Sequence, residues 1–315
     1  MGKAERVVLL LLAAALMLAG CAEKAVKGKK SIALVMKASS NPFFAKMGEG
    51  AQKAADSLAV PLLVATIPQE TDINGQIAIV ENMIVQGVDA ILIAPADSKA
   101  IVNVLKKAQD QGILIFNLDN RIDAATAAGA GLTLACYVGV DNEEGGRMAG
   151  AYLVSLMSGS GQAAMLEGIR GVDNAEARKR GFLQAVAGSA VNVVASQSAN
   201  WAQDQGLDVF ANMLQANPNI TGLFCANDMM ALGAIQAIEQ RGLTGKIRVT
   251  SYDNLQAART AIMQGTLHAT IDQHPEQMGY WGVVLAVQGL AGQTIPAEKM
   301  VSLELVTKEK CEGTL

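Results

Sequence analysis

The feature that most constrains the fold is an alternation of short apolar runs with longer amphipathic runs, which continues along almost the whole chain after residue 30. Such an alternation predicts βαβ units and therefore parallel sheets. The short runs are apolar throughout, as strands are when helices cover both faces of their sheet. The predicted strands are Ser31–Met36, Pro61–Ala65, Ala90–Ala94, Ile113–Asn117, Cys136–Val140, Gln162–Leu166, Val191–Ser196, Gly222–Cys225, Ile247–Ser251 and His268–Ile271.

The amphipathic runs between these strands predict helices, and the second half of the chain repeats the scheme of the first. We therefore expect an α/β fold of two doubly wound halves. The halves join near Gly139–Asp141, where no flexible Gly/Ser linker occurs, so we expect a hinge made of strand-like crossings. The predicted helices are Phe43–Leu58, Ile73–Gln86, Lys99–Gln111, Glu143–Met157, Ala175–Ala187, Gln203–Gln215, Met229–Gln240, Leu255–Gln264 and Glu276–Leu290.

The first 20 residues have the order of a secretory signal, namely positive charge, an apolar run and small residues. Lys3 and Arg6 provide the charge, and Val7–Met17 is an uninterrupted apolar run. That run is too short for a membrane-spanning helix, which needs about 20 residues. We therefore predict a signal peptide over residues 1–20 and a chain exported from the cytoplasm.

The segment Leu18-Ala19-Gly20-Cys21 resembles the bacterial lipobox. The resemblance implies cleavage before Cys21, lipidation of its thiol and tethering to a membrane, in the periplasm or at the outer face of the cytoplasmic membrane. Residues 21–30 are polar and basic, which is typical of a flexible tether. The alternative is an ordinary signal peptide in which Cys21 is incidental. We expect contact with the membrane through the lipid anchor only.

The composition excludes several classes of function. Hydrophobic residues make up 51% of the chain and charged residues 17%, which predicts folded cores rather than disorder. The roughly 285 residues after the tether suit two domains. A net charge of −4, without a dense basic block beyond the tether, argues against nucleic-acid binding. A cytoplasmic repressor of similar core fold is excluded, because a signal peptide stands where its helix-turn-helix would lie.

The sequence also lacks the common motifs of catalysis. No nucleophile elbow, zinc-protease motif or phosphate-binding loop occurs. The two histidines, His268 in a predicted strand and His274 at a predicted crossing, lack the spacing of a metal site. Two carboxylates could serve a glycosidase, but nothing raises that alternative above a binding role. We therefore expect no enzyme activity, no cofactor and no metal.

Apart from Cys21, the chain has three cysteines and no CxxC motif. Cys136 and Cys225 lie in apolar strand-like runs, where a buried thiol packs as a small hydrophobic side chain. One disulfide among Cys136, Cys225 and Cys311 stays open, although the sequence gives no reason to expect it.

Polar and aromatic residues follow the carboxyl ends of several predicted strands in both halves. In an open α/β sheet, ligands bind beyond these strand ends. The residues come from different strands, so the pattern predicts a crevice between two domains, lined from both sides. They are Lys37, Asn41, Phe43, Phe44, Asp119, Asn120, Trp201, Asn227, Asp228, Asp253, Asn254 and Gln273.

These residue types suit a ligand that carries adjacent hydroxyls and apolar C–H faces. Carboxylates accept hydrogen bonds from hydroxyls, carboxamides both donate and accept, and aromatic rings offer flat apolar surface. A simpler interpretation stays open, since Asn and Asp after strands are common helix N-caps and the aromatic residues could belong to the core. Asp228 in particular could cap the helix that begins at Met229. The pattern by itself predicts a cleft and names no ligand.

Several segments match one protein family in order along the chain. They are Ile32-Ala33-Leu34-Val35, Asn41-Pro42-Phe43-Phe44, Asn117-Leu118-Asp119, Val140-Asp141-Asn142, Glu176-Ala177-Arg178-Lys179-Arg180-Gly181-Phe182, Ala195-Ser196-Gln197 and Asn227-Asp228-Met229-Met230-Ala231-Leu232-Gly233-Ala234. Together they resemble the periplasmic sugar-binding proteins of ABC transporters, of the ribose- and allose-binding type (type I periplasmic binding proteins). The similarity runs from about Ser31 to Thr307.

The resemblance implies two Rossmann-like domains joined by a three-segment hinge, with crossings near residues 139–141, 273–275 and 296–301. The N-terminal domain would comprise residues 31–139 plus 275–298, and the C-terminal domain residues 140–274 plus 299–315. The helix Glu276–Leu290 would return to the first domain.

The resemblance also implies which residues contact the ligand. Phe44 and Trp201 would sandwich a sugar ring, and Arg178 would lie near the ring oxygen. Asn120, which follows the fourth predicted strand together with Asp119, is predicted as a ligand-binding residue as well, although the ribose-binding pattern has an Arg at that position. The implied ligand-binding residues are Lys37, Asn41, Phe43, Phe44, Asp119, Asn120, Arg178, Trp201, Asn227, Asp253 and Gln273.

Departures from the ribose-binding pattern bear on the ligand. Lys37 replaces a small polar residue and Ala94 replaces an Asn. Lys37, Trp201 and a longer segment at 121–135 resemble the allose-binding branch. Asn120 departs from that branch as well, because the allose-binding proteins have an acidic residue at this position. The resemblance therefore implies a hexose such as allose, or a pentitol or hexitol, at least as much as ribose.

The function implied is capture of a sugar or polyol by hinge closure and its delivery to an ABC permease complex, by a protein that acts as a monomer. The alternative is a receptor that presents its ligand to a chemotaxis or two-component sensor. The sequence alone leaves both open, because docking surfaces cannot be read from it.

Overall fold

The computed structural model describes residues 30–313. The predicted signal peptide, the lipidation site Cys21 and all of the tether except Lys30 lie outside these residues, and they stay predictions. Within residues 30–313, none of the helices combines the length and the apolar character that crossing a membrane requires. The fold consists of two α/β lobes, each built on one sheet, which confirms the predicted fold class.

The first lobe contains most of the N-terminal half together with two returning segments. Its elements are β1 (Ile32–Ala38), α1 (Pro42–Leu58), β2 (Leu62–Ile67), α2 (Ile73–Gln86), β3 (Ala90–Ile93), α3 (Val102–Asp110), β4 (Leu114–Leu118), α4 (Ala124–Ala130), β5 (Cys136–Gly139), α10 (Pro275–Leu290) and β11 (Glu298–Met300). The six strands are parallel in the order β11-β5-β4-β3-β1-β2. Every residue of β1, β3 and β5 is buried, as expected where helices cover both faces of the sheet.

The second lobe repeats this arrangement. Its elements are α5 (Asn142–Leu156), β6 (Ser160–Glu167), α6 (Asp173–Ala187), β7 (Ala190–Ser198), α7 (Gln203–Ala216), β8 (Ile220–Cys225), α8 (Asp228–Gln240), β9 (Arg248–Tyr252), α9 (Gln256–Gln264), β10 (Ala269–Asp272), β12 (Glu304–Val306) and α11 (Lys308–Glu312). The strand order is β12-β10-β9-β8-β6-β7, with β12 antiparallel to β10 and the other pairs parallel. Ligand-binding crevices in such sheets lie beyond the carboxyl ends of the strands.

Three short segments connect the lobes, after β5, after β10 and between β11 and β12. The third crossing comprises residues 301–303. The predicted domain boundary between residues 298 and 299 falls inside β11, because Glu298, Lys299 and Met300 pair in succession with β5 of the first sheet.

Helix α10 returns to the first lobe and packs closely on α1. A Cβ atom on Gly279 would lie 2.0 Å from the backbone oxygen of Met47, and one on Gly50 would lie 1.9 Å from that of Glu276. The two helix backbones are therefore in direct contact, and any larger residue at either glycine would separate them. This contact fixes α10, and with it the second crossing, against the first lobe.

Four elements were not predicted from the sequence: α4, α11, β11 and β12. The alanine-rich α4 has no amphipathic period, and it begins where the Asp123 side chain accepts the backbone N–H of Thr126 at 2.8 Å. The two strands have three residues each, too few to show a pattern. The three cysteines within residues 30–313 are buried and unpaired, and burial raises the pKa of Cys136 to about 11.

Candidate functional site

The strand ends of the two lobes face each other across a narrow cavity. Ten of the eleven predicted ligand-binding residues line it, together with two residues that were not predicted. Most of these side chains are almost completely buried, so the structure represents a closed cleft. The lining residues are Lys37, Asn41, Phe43, Phe44, Glu70, Asp119, Asn174, Arg178, Trp201, Asn227, Asp253 and Gln273.

The first lobe contributes a group of three charges to the cavity. The Lys37 Nζ atom lies 3.3 Å from Asp119 Oδ2 and 3.7 Å from Glu70 Oε2. Phe44 lies beside this cation, with its ring centroid 5.5 Å from Nζ. Phe43 packs edge-on against Phe44, with 5.1 Å between the ring centroids. The first lobe therefore combines a paired cation with apolar ring surface.

The second lobe contributes a network centred on Arg178 of α6. Its guanidinium donates from Nε to Asn142 Oδ1 at 2.8 Å, from Nη1 to the Ala226 backbone oxygen at 2.8 Å, and from Nη2 to Gln273 Oε1 at 3.3 Å. Gln273 in turn donates to Asp253 Oδ1 at 2.7 Å, and that oxygen lies 3.7 Å from Arg178 Nη1. Each member of this network holds another in place.

Arg178 also lies over an aromatic residue of β9. Its Cζ atom lies 3.7 Å from the ring centroid of Tyr252, which is fully buried at the end of that strand. A guanidinium stacked on a ring in this way is stabilised by the negative face of the ring. The network therefore fixes the guanidinium by hydrogen bonds in its plane and by a ring on one face.

Trp201 forms another wall of the cavity, and its backbone has a φ of +64°. Such a φ is rare for a bulky residue and is typical of functional sites, where surrounding contacts hold it. A Cβ at Gly168 would lie 2.0 Å from the indole ring, so only glycine leaves room for the ring there. The Asn227 amide donates to the Trp201 backbone oxygen at 3.2 Å. The hydrogen bond from Asn227 therefore holds the Trp201 backbone, and the close contact with Gly168 holds the indole ring.

Asn41 and Asn227 each act as a helix N-cap and also line the cavity, the two roles that the sequence left as alternatives. Their Oδ1 atoms cap helices α1 and α8 by accepting the N–H of Phe43 at 3.1 Å and of Met230 at 3.0 Å. Their amide nitrogens bind neighbouring site groups, and Asn41 donates to Glu70 Oε1 at 3.1 Å. Each of these asparagines therefore caps a helix with its oxygen and holds another residue of the cavity wall with its amide nitrogen.

Asp119 and Asp253 do not cap helices. They lie in turns with φ of +60° and +118°, conformations that are uncommon for residues other than glycine.

Asp228 is not a helix cap either. Its carboxylate accepts from Ser251 Oγ, from Thr270 Oγ1 at 2.8 Å and from the Leu255 N–H at 2.8 Å, so it fixes the turn after β9. Burial raises the pKa of Asp228.

The assignment of Asn120 to the cavity wall is wrong. Asn120 is fully buried, but it does not line the cavity, because its side chain is bound elsewhere. Its amide donates to the Pro95 backbone oxygen at 3.2 Å and to Ser98 Oγ at 3.3 Å, and its Oδ1 accepts the N–H of Asn174 at 3.2 Å. Asp119, directly before it, takes the cavity-facing position instead.

Glu70 and Asn174 were missed by the sequence analysis. Glu70 follows β2 by three residues, so the strand-end rule that found the other residues would have found it too. Asn174 lies in the first turn of α6, four residues before Arg178, and residues four apart lie on the same face of a helix. That spacing was the available signal.

Three of the buried polar atoms that have no hydrogen-bond partner within residues 30–313 belong to the lining residues. They are Glu70 Oε2, Asn174 Oδ1 and Trp201 Nε1. Leaving a buried polar atom unpaired costs about 1–3 kcal/mol, so native structures rarely tolerate it without a reason. Two acceptors and one donor are therefore available to a molecule inside the cavity.

The charges in the cavity are paired, but their carboxyl groups are desolvated. Burial raises the pKa of Glu70, against the opposing effect of Lys37. Burial also raises the pKa of Asp253 well above its ordinary value, with Arg178 opposing the shift. Two cations face three carboxylates, so no uncompensated positive charge is left to attract an anion.

One cluster of potential metal ligands exists among the described residues, and it lies outside the cavity. Asp272, His274 and Glu304 come together at the second crossing. Lys310 forms an ion pair with Glu304. His268 is not part of this cluster, and its Nδ1 accepts the backbone N–H of Val249 in β9 at 3.2 Å.

The chain matches a family model described as a periplasmic binding protein domain, over residues 32–294. A D-ribose/D-allose-binding protein of Pseudomonas aeruginosa is 40% identical over 285 residues, which cover 89% of each chain. The ribose import binding protein of Salmonella typhimurium is 35% identical over 281 residues, 89% of this chain and 92% of the relative. These relatives are binding proteins, not enzymes.

A solved structure with a similar fold is an ABC transporter periplasmic solute-binding protein from Actinobacillus succinogenes with bound D-allose. The TM-score is 0.86 and the identity 42%, over 90% of this chain and all of the other. The resemblance read from the sequence motifs is thereby confirmed.

Proposed function

Since this chain belongs to the periplasmic binding protein family, we propose that it captures a neutral monosaccharide or polyol between its two lobes and delivers it to an ABC importer. In this proposal the two lobes act as the two closing domains, with the last boundary at residues 301–303. They close by rotation at the three crossings, because a ligand that contacts both lobes favours the closed state.

The observation that carries this proposal is the set of unpaired polar atoms in the cavity. Different hydroxyls of a sugar can donate to Glu70 Oε2 and to Asn174 Oδ1, and a sugar oxygen can accept from Trp201 Nε1. These atoms come from both lobes, so only a ligand held between the lobes reaches all of them. The rings of Phe44 and Trp201 offer the flat surfaces on which the C–H faces of a sugar pack.

The ion pairs of the site argue against an anionic ligand. Lys37 is flanked by Asp119 and Glu70, and all three nitrogens of the Arg178 guanidinium donate to protein acceptors. An anionic ligand would meet three carboxylates without a spare cation, so the site disfavours an anion. Buried charges of this kind need a partner to be tolerated.

The ligand class agrees with what the relatives' names state, which is D-ribose and D-allose. Lipid anchoring at Cys21 belongs to the same proposal, since an anchored receptor stays close to its importer. Labelling of cells with radioactive palmitate tests it. We expect label on the wild-type chain and none on the Cys21→Ser variant, and an unlabelled wild-type chain would exclude the anchor.

Thermal unfolding with a panel of sugars tests the binding function. Because a ligand that binds only the folded state raises its stability, we expect D-allose, D-ribose or a related polyol to raise the Tm. Asp119→Ala should abolish the shift. Asp110→Ala, at an exposed carboxylate of α3, is the matched control and should keep it. A wild-type chain that responds to no aldose or polyol would overturn the proposal.

A further inference from the structure

Helix α6 begins without a cap from its own lobe. Its N-cap residue is Val172, whose side chain cannot accept a hydrogen bond. The nearby Glu176 carboxylate instead accepts the N–H of Gly171 at 2.9 Å, one residue before the cap. The first N–H groups of a helix have no partner inside the helix and need one from outside.

Two residues of the opposite lobe supply these partners. Ser98 Oγ accepts the N–H of Asp173 at 3.2 Å, and Asn120 Oδ1 accepts the N–H of Asn174 at 3.2 Å. The two acceptors are also linked, since Asn120 Nδ2 donates to Ser98 Oγ at 3.3 Å. Ser98, Asn120 and Asn174 are each at most 3% exposed, so water does not compete for these hydrogen bonds in the closed cleft.

The acceptors are held in place before α6 reaches them. Asn117 donates to the Asn120 backbone oxygen at 2.7 Å, and its own Oδ1 accepts the N–H of Ile122 at 2.9 Å. The Asn120 amide is tied to the Pro95 backbone oxygen at 3.2 Å. These contacts lie within the first lobe and do not depend on the second.

Helix α6 is also the element that brings Asn174 and Arg178 to the cavity. We propose that Ser98 and Asn120 form an interlobe latch, which caps α6 only when the lobes are closed and so sets how readily the protein closes on any ligand. The proposal rests on the capture function above. Ser98 and Asn120 do not line the cavity, so they act as positioning residues.

A latch has a different signature from a ligand contact. Losing a helix N-cap weakens the closed state by about fivefold, within a range of roughly twofold to thirtyfold. Because apparent affinity scales with the fraction of protein in the binding-competent state, every ligand should lose the same factor. A residue that touches the sugar loses affinity by a factor that depends on which hydroxyls the sugar carries.

Calorimetric titration of the full chain with D-allose and with D-ribose tests this directly. We expect Ser98→Ala and Asn120→Ala each to weaken the two sugars by the same factor, near fivefold, while the Tm of the ligand-free protein shows that the fold is kept. Glu70→Gln, at a cavity residue, should change the ratio between the sugars. Asn103→Ala, at an exposed position on α3, is the matched control and should change nothing. Unchanged affinities, or factors that differ between sugars, overturn the latch.

Amide hydrogen exchange at Asp173 and Asn174, measured with and without a sugar that raises the Tm, gives a second readout. In the sugar-bound wild-type protein we expect both amides to be more protected than in the ligand-free protein, and in sugar-bound Ser98→Ala the Asp173 amide should exchange faster. Amides of the sugar-bound wild-type protein that exchange as fast as in the ligand-free protein would contradict the latch even though the sugar binds. Protected amides in a protein that binds no sugar would support the latch and overturn the capture function instead.

Discussion

The two lobes share one topology but hold their halves of the site differently. In the second lobe, Arg178 has three protein hydrogen-bond partners and a ring beneath it, and Gln273 and Asp253 complete the network. In the first lobe, Lys37 is held only by ion pairs at 3.3 and 3.7 Å, and Glu70 keeps one oxygen without a hydrogen bond. The second lobe therefore has the more extensive internal network, although unpaired atoms remain in both lobes, on Glu70 in the first and on Asn174 and Trp201 in the second.

This difference indicates a division of labour between the lobes. The second lobe is preorganised, so it contributes binding energy without paying for reordering. The charged groups of the first lobe are held by fewer protein contacts, so discrimination between sugars is expected to depend on Lys37, Glu70 and Asp119. Substitutions on the two sides should therefore differ in kind as well as in size.

The largest effect is expected from Arg178→Ala, which breaks the hydrogen-bond network of the second lobe. It leaves Asp253 buried without its cation, and breaking a buried pair typically costs about 3–5 kcal/mol. We expect sugar binding to fall below detection in calorimetry and the Tm to drop. Arg180→Ala, at an exposed arginine of the same helix, is the control and should retain both. Measurable binding by Arg178→Ala would show that the second lobe is not the organising half.

A smaller and sugar-dependent effect is expected from Glu70→Gln in the first lobe. The amide keeps an acceptor but loses the charge that pairs with Lys37, so we expect affinity to fall about tenfold, or about 1.4 kcal/mol. The factor should differ between D-allose and D-ribose. Glu81→Gln, at an exposed glutamate of α2 that pairs with Lys107, serves as the control. An equal loss for both sugars would mean that Glu70 does not discriminate.

The paired helix caps allow the same test on both sides of the cleft. Asn41→Ala and Asn227→Ala each remove a cap, so we expect each to lower the free energy of unfolding by about 1 kcal/mol. Asn41→Ser and Asn227→Ser keep a capping oxygen and should restore most of the stability while still weakening sugar binding. Chemical denaturation and calorimetry measure the two effects separately. If the serine variants bind as tightly as wild type, the amide groups have no part in the site.

The smallest effect is a pH dependence that originates in the first lobe. Burial raises the pKa of Glu70, so the native protein binds more protons than the unfolded chain above about pH 4. Its contribution to the free energy of unfolding therefore falls as pH rises through the window between the ordinary and the raised pKa. Glu70→Gln should flatten that fall when the Tm of the ligand-free protein is followed from pH 4 to pH 7. If the Tm falls with pH equally steeply in the wild-type protein and in Glu70→Gln, Glu70 is not the source of this pH dependence.

Much of this site could be predicted from the sequence, because the carboxyl ends of parallel strands must meet at one edge. That rule places Lys37, Asp119, Asn227, Asp253 and Gln273 together from the sequence alone. It could not show that Asn120 turns away from the cavity, since the direction of a side chain after a strand depends on the backbone of the turn.

The choice between helix cap and cavity residue could not be made from sequence either. Asn41 and Asn227 are both, because an amide has an oxygen for the helix and a nitrogen for the site. The unpaired atoms of Glu70, Asn174 and Trp201 depend on how the two lobes approach each other. No local pattern reports that approach.

Closure around a sugar is the central claim, and the distance across the mouth of the cleft measures it most directly. Gln69 and Asp204 are exposed on opposite lobes at that mouth, and the cysteines at positions 136, 225 and 311 are buried, so dyes can be attached selectively at Gln69→Cys and Asp204→Cys in a Cys21→Ser background. We expect energy transfer between the dyes to rise on addition of D-allose or D-ribose, and to stay constant in the same protein carrying Arg178→Ala. Sugar binding without any change in energy transfer would contradict closure.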